Sequence, residues 1–293
     1  MRKKLVILSG LIAVNSLSYA SGYDWQTPTE NKWHVVIANG EMNYADGTIL
    51  GGNGTAAAPE PSVISADKGG VAKNLFPPGT LNLIVRPKPG MTHSWLYGVY
   101  AYSSTGRTTT SQTTELTFDT KLNVDMETSV SQNTGGESLG AALDITAHAT
   151  DGTVPGAGAI TKANFNDDVN IKVVNKTETT GSGWNPSSVE GISMSSFSGG
   201  RNEVVFNKKL DISGSVDTQN KHIYGIRYED QEENGKGSLL LLKGDTSINV
   251  ESLHGGRAWG GYFPGGRGNT IIRNGKGYGF KNQDSTKRWA KLC

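Results

Sequence analysis

Gly191, Gly225 and Gly260 recur at intervals of 34 and 35 residues. Each sits inside a short strand-forming run: Val189 to Met194 (VEGISM), His222 to Tyr228 (HIYGIRY) and Arg257 to Phe263 (RAWGGYF). A steady period of this size marks a chain made by stacking copies of one small unit, none of which buries its apolar face alone. A second element follows each glycine strand. Ser196 to Val205 (SFSGGRNEVV) and Tyr262 to Ile272 (YFPGGRGNTII) share an aromatic, a turn residue, Gly-Gly-Arg, Asn and a β-branched pair. The stretch NGKGSLLLLKG, Asn234 to Gly244, fills the same slot between them. A third strand comes after the first two slots: Leu210 to Ser213 (LDIS) and Ser247 to Glu251 (SINVE).

The pattern weakens upstream but persists. Ser94 to Tyr102, Glu115 to Asp119 and Leu122 to Met126 form one more trio, and Leu139 to Ala147, Ala159 to Phe165 and Val169 to Val174 form a looser one. That makes four full units and a fragment. Helical repeats share this period, yet they need long amphipathic helices with few internal glycines. Here the runs are short, β-branched and bounded by glycine. Composition agrees, because 39 glycines and 35% hydrophobic residues leave little for a thick globular core.

Three strands per unit with a corner after each predict an all-β fold: a right-handed parallel β-helix with three short strands per coil and an irregular N-terminal cap. In that fold the four leucines Leu239 to Leu242 pack inward and against neighbouring coils, while polar corners such as Glu229 to Lys236 stand in solvent. Asn202 and Asn269 fall at equivalent corners. Either they bridge coils through their amides or they simply tolerate a left-handed turn.

The N-terminus reads as a signal peptide over residues 1–20. Arg2, Lys3 and Lys4 are its basic start, Leu5 to Val14 its apolar stretch, and cleavage is expected after Ala20. Its removal leaves 25 Lys and Arg against 27 Asp and Glu. A near-neutral chain without a polybasic patch argues against nucleic acid as a partner. The apolar stretch is too short to span a bilayer and no later segment is longer, so no transmembrane segment is expected in the mature chain. The single cysteine, Cys293, forms no internal disulfide, and stability must come from packing. No cofactor is implied.

Residues 21–92 carry Pro59, Pro61, Pro77, Pro78, Pro87 and Pro89, and few clear strands besides Trp33 to Ala38 and Leu81 to Arg86. They are expected to cap the open end of the β-helix, whose repeats run over residues 93–280. Residues 281–293 read as a polar tail, and a repeat that stops within a coil suggests a fragment or a prematurely ended reading frame.

A signal peptide, a proline-interrupted N-terminal cap and glycine-bounded strand trios such as HIYGIRY, GSLLLLKG and SINVES together resemble the passenger domain of bacterial autotransporters, the type V secreted proteins. The resemblance is one of architecture over most of residues 21–280. It implies export, passage through an outer-membrane translocator barrel, and display at the cell surface as an elongated rod acting in adhesion. The sequence departs from that plan by lacking the barrel, which would appear as alternating ten-residue strands. Without it, delivery to the surface by this chain alone is in doubt, and the truncated product would remain periplasmic.

For binding, Arg201, Lys236 and Arg267 occupy corresponding corner slots, with Trp259, Tyr262 and Phe263 nearby. Stacked coils would align the cations into a stripe for anionic host glycans, the rings giving flat contact to sugars. A host protein is the other partner this suggests. The plainer reading, favoured here, has the guanidiniums satisfying corner carbonyls and the rings filling the core. Trp95, Tyr97, Tyr100 and Tyr102 carry the same ambiguity. The catalytic rival is a β-helical polysaccharide lyase or glycosidase, which needs carboxylates converging across a groove. Asp167, Asp168 and Asp211 are the right type, but adjacent strand residues point to opposite faces, so Asp167 and Asp168 are not expected to converge. No Gly-Asp-Ser-Gly turn occurs, no Gly-x-Ser-x-Gly elbow stands between a strand and a helix, and His34, His93, His148, His222 and His254 never fall at zinc-helix spacing. No catalytic or metal residue is assigned.

Overall fold

The computed structural model describes residues 62–66, 71–76, 79–85, 96–104, 112–128, 140–148, 158–175, 188–197, 199–217, 222–230, 238–253, 256–263, 270–273 and 277–282. These form an all-β parallel solenoid of six coils, each contributing one strand to each of three six-stranded sheets. Coil one is β1 (Ser62–Ala66), β2 (Val71–Phe76) and β3 (Thr80–Val85); coil two is β4 (Leu96–Ser104), β5 (Gln112–Phe118) and β6 (Lys121–Thr128). Coil three is β7 (Gly140–His148), β8 (Ala159–Phe165) and β9 (Val169–Asn175); coil four is β10 (Ser188–Phe197), β11 (Arg201–Phe206) and β12 (Leu210–Val216). Coil five is β13 (His222–Asp230), β14 (Leu239–Leu242) and β15 (Thr246–Ser252); coil six is β16 (Ala258–Tyr262), β17 (Thr270–Arg273) and β18 (Gly277–Asn282). The first strands of all coils make the first sheet, the second strands the second and the third strands the third.

The solenoid therefore reaches further back than the sequence suggests. Coil one lies inside residues 21–92, the stretch expected to be an irregular cap, and β3 pairs with β6 in continuous register from Thr80 and Lys121 to Val85 and Met126. Prolines obscured it in the sequence: Pro77 and Pro78 stand in the chain between β2 and β3, and Pro87 and Pro89 follow β3. The signal peptide, the Ala20 cleavage point, the strand expected at Trp33 to Ala38 and the tail beyond residue 282 lie outside the described residues.

Strict alternation over the second and third sheets sends every other side chain inward. Phe118, Phe165 and Phe206 meet in the core as a stack, with ring centroids 5.0 and 4.7 Å apart and planes 11° and 6° from parallel. Leu242 takes the next place, paired with Phe206. The leucine run obeys the same alternation. Leu240 and Leu242 are buried, whereas Leu239 and Leu241 are partly exposed on the outer face, so only half of the run packs inward as expected.

Polar ladders fix the corners. Between the first and second strands, Thr114 Oγ1 donates to the Tyr102 carbonyl (2.9 Å), Thr161 Oγ1 to the Thr146 carbonyl (2.7 Å) and Asn202 Nδ2 to the Ser195 carbonyl (2.8 Å). Donors and acceptors alike are aligned from coil to coil. The Asn202 amide thus neither bridges coils nor sits in a left-handed turn: the residue is fully buried on a strand and its side chain clasps the corner of its own coil, while its backbone N–H donates to Ser238 Oγ just before β14 (2.9 Å). Asn269 lies outside the described residues. Amides that do bridge coils are found at the next corner, where Asn166 donates to Asp119 (2.7 Å), Asn207 to Asn166 (2.6 Å) and Lys243 to Asn207 (2.8 Å). Asn123 and Asn170 continue such a ladder from Asn82 along the outer face of the third sheet.

The corner clasp yields a direct test. Thr161→Val keeps the shape but takes the buried Thr161 hydroxyl away from the Thr146 carbonyl, and a loss of about 1 kcal/mol is expected in denaturant unfolding. Thr161→Ser, which restores the hydroxyl, should recover most of that loss.

Candidate functional site

The first sheet breaks the alternation that the other two obey. In β4, Tyr97 and Tyr100 lie on the same outer face with ring centroids 5.2 Å apart, although residues three apart in a regular strand face opposite ways. The cause is two successive inward positions between them, Gly98 and Val99. Val99 is in the core, and a Cβ placed on Gly98 would lie 2.8 Å from Val124 Cγ1 of the third sheet. The strand bends inward there until it nearly touches the opposite sheet, and the outer side chains on either side of the bend come together.

Register carries this bend through the stack. The flanking pairs place Gly98 level with Ala142, Ala142 with Gly191, Gly191 with Gly225 and Gly225 with Gly260. Gly98, Gly191 and Gly225 are required by space and not by conformation, since none has a positive φ. A Cβ on Gly191 would meet Ile212 at 2.7 Å and the Gly225 carbonyl oxygen at 2.6 Å; one on Gly225 would meet Ile248 at 2.3 Å and the Gly260 carbonyl oxygen at 2.5 Å. The outcome is a crease running across the coils on the outer face of the first sheet, walled by two columns of side chains.

The first column is Tyr97, Ala141, Glu190, Tyr224 and Trp259; the second is Tyr100, Asp144, Ser193, Arg227 and Tyr262. Although they face outward, Tyr97, Asp144, Glu190, Ser193 and Tyr224 are all buried by one another, Glu190 to 4% exposure. Aromatic rings occupy both ends. Tyr100 stacks on Tyr102 at 5.8 Å, and the Tyr102 hydroxyl lies 3.3 Å from His148 Nδ1. At the other end Tyr224 stacks flat on Trp259 at 4.7 Å, and Tyr262 contacts both rings at 5.1 and 5.6 Å.

Carboxylates fill the middle. Glu190 Oε1 accepts from Arg227 Nη1 at 2.9 Å and from Ser188 Oγ at 3.1 Å, while Arg227 Nη2 pairs with Glu229. Arg227 Nε is buried without a partner. Asp144 Oδ1 accepts from Thr146 at 2.7 Å. Burial alone would favour the neutral guanidine, but Glu190 and then Glu229 outweigh it and hold Arg227 above its ordinary value. Burial pushes the Tyr224 phenol up to about 12, with the nearby Arg227 working against the rise. Because the folded chain favours the neutral phenol, the stability it contributes is intact below pH 10 and is lost as the pH climbs toward 12. An ultraviolet titration should show a late phenolate step whose amplitude falls by one tyrosine in Tyr224→Phe.

The residues singled out in the sequence scatter over this frame. Trp259 and Tyr262 face outward into the crease, so the plainer reading of them as core fillers is corrected. Arg201 stands on the outer face of the second sheet, paired with Glu203. It neither caps a corner carbonyl nor joins the rings. Lys236 and Arg267 lie outside the described residues, as do Trp95, His34, His93 and His254. Asp167 and Asp168 are in a corner between β8 and β9 and not on a strand, and each binds its own neighbour in coil four. Asp167 takes Lys208 Nζ at 3.0 Å, and Asp168 the backbone N–H of Lys209 at 3.2 Å. The Lys208 ammonium, then the N–H of Asp168, hold Asp167 below the usual carboxylate range. Asp211, on the outer face of the third sheet, pairs with Lys209. His148 and His222 flank the crease, each edge-on to a ring, Phe197 and Trp259 respectively.

Sequence reading missed Asp144, Glu190 and Arg227. A signal was present: Tyr97-Gly-Val-Tyr100, Glu190-Gly-Ile-Ser193, Tyr224-Gly-Ile-Arg227 and Trp259-Gly-Gly-Tyr262 set a polar or aromatic residue on each side of a glycine and its neighbour. Comparison with protein-family models, with curated proteins and with solved structures returns no match.

Proposed function

We propose that this chain is the passenger-type part of an exported protein, displayed at the cell surface as a β-helical rod, and that it works by binding, as an adhesin or structural spacer, without catalysis. Supporting export is the basic and apolar start of the sequence, with its small residues before Ala20. Delivery to the surface would pass through an outer-membrane translocator barrel. The observation that carries the binding role is the set of outward, half-buried rings along the crease, Tyr100 in coil two and Trp259 with Tyr262 in coil six, backed by the buried Tyr97 and Tyr224. Large rings turned out of the core and held rigid by their neighbours give contact area at little entropic expense, the usual equipment of a recognition surface.

The rival reading, a β-helical lyase or glycosidase, has Asp144 and Glu190 in its favour. Both are already engaged by hydrogen bonds within the crease, a state that suits positioning a ligand better than exchanging a proton. Adhesion of beads coated with the chain to host cells and to protein-coated surfaces tests the proposal, and binding above that of uncoated beads is expected. Absence of adhesion to every surface would overturn it. New reducing ends or unsaturated products released from polysaccharides would replace it with the catalytic reading.

A further inference from the structure

Resting on that binding role, we infer that the far edge of β16 takes up an extended segment of a protein partner as a further strand of the first sheet, with an acidic side chain of that segment on Arg257.

The side chains form a stack that is completed at one end only. Arg227 lies over the Tyr224 ring, Tyr224 stacks flat on Trp259, and Arg257 lies over the Trp259 ring, each guanidinium carbon 5.7 Å from its ring centroid. The two rings cover each other's inner faces, so the guanidiniums occupy the outer ones. At the inner end Glu190, level with Tyr224 in the neighbouring coil, gives its carboxylate to Arg227. At the outer end Arg257 is exposed, and among the described residues no carboxylate pairs with it. Arginine takes a carboxylate while its guanidinium lies over a ring, as Arg227 does with Glu190. Completing the outer end in the same way requires an acidic residue level with Trp259, one strand beyond β16.

The backbone offers that strand position. β16 is the last strand of the first sheet, paired with β13 on one side, and its other edge pairs with nothing among the described residues. Its N–H and C=O groups recur at strand spacing, a pattern that another peptide backbone matches along its length. None of the lysines or prolines that blunt such an edge occurs in β16, whose sequence is AWGGY. Coils two to six place Gly or Ala in the column of Gly260, so the incoming segment needs a small residue directly after its acid, as Gly191 follows Glu190.

Burial points the same way. Tyr224, covered by Trp259, is 8% exposed, whereas Trp259 and Tyr262, with no described layer beyond them, are half-buried. Tryptophan, tyrosine and arginine are the side chains that dominate protein interfaces once a partner covers them.

The test uses the full chain and a fluorescent synthetic peptide with the β10 sequence Ser-Val-Glu-Gly-Ile-Ser-Met, which carries the acid and the glycine in the required order. Fluorescence anisotropy should show saturable binding, at least tenfold weaker when lysine replaces the acid of the peptide. Arg257→Glu should reverse that preference, a result that a merely destabilised fold would not give. Hydrogen exchange should show new protection of the β16 amides when the acidic peptide is added. Equal binding of the two peptides, or no saturable binding of either, would overturn the inference. So would a preference of Arg257 for polygalacturonate over the acidic peptide. Protection of β16 before any peptide is added would overturn it too, by putting residues 283–293 of the chain on that edge or, where protection grows with chain concentration, a second copy. Failure of the peptide while coated beads still adhere would remove this site and leave the adhesive role standing; failure of both would remove the two together.

Discussion

Phe165→Ala is expected to lower the unfolding free energy by about 3–5 kcal/mol, the larger of the two core effects considered. Phe165 is fully buried and is the middle ring of the stack, touching Phe118 on one side and Phe206 on the other. Removing it leaves a void between two coils that are tied to the rest of the chain by parallel ladders, so the void has little means of collapsing. Two ring contacts vanish with one substitution, in addition to the apolar area lost. Guanidinium unfolding followed by circular dichroism measures the effect, and Phe165→Leu, which refills most of the space, should lose only about 1 kcal/mol. An alanine variant within 1 kcal/mol of the parent would mean that the coils do not share one core.

Gly225→Val should destabilise by about 3 kcal/mol, at the upper end of what overpacking costs. Its added carbon would arrive 2.3 Å from Ile248 Cγ2 and 2.5 Å from the Gly260 carbonyl oxygen. A methyl can rotate aside, but a carbonyl inside a strand cannot move without dragging coil six. Damage should therefore concentrate at the C-terminal coils, with limited proteolysis cutting there first while coils one to three persist. Ser247→Val, on the outer face of the third sheet, is the control and should change stability by no more than about 0.5 kcal/mol.

The repeat was legible in the sequence because its glycines are fixed by sterics: nothing else fits where the first sheet bends against Ile212 and Ile248. The three-strand unit followed, and β8, β12 and β15 fall close to where the sequence places them. Counting the coils was harder. Gly98, Ala142 and Gly191 are 44 and 49 residues apart, because the connections after β6 and β9 are longer than those downstream, and a search for one constant period sees only the C-terminal half. Ala142 conceals its place in the glycine column as well, its single methyl being accommodated there. The crease was illegible for a different reason. A search for alternation reads Val189 to Met194 as a strand buried on both faces, whereas the bend puts Gly191 and Ile192 inward together and leaves Glu190 and Ser193 side by side outside. Partners such as Glu190 and Arg227 are 37 residues apart and meet only through the register of neighbouring coils.

That register also makes length a free variable. The ladders set coil four against coil five position by position: Ile192 beside Ile226, Phe206 beside Leu242, Leu210 beside Thr246. A duplication or excision that respects this spacing adds or removes one layer and joins two matching faces, leaving every other layer as it was. Such a chain is extended or shortened in quanta of a single strand width, and the reach of the molecule and the span of its crease grow or shrink together.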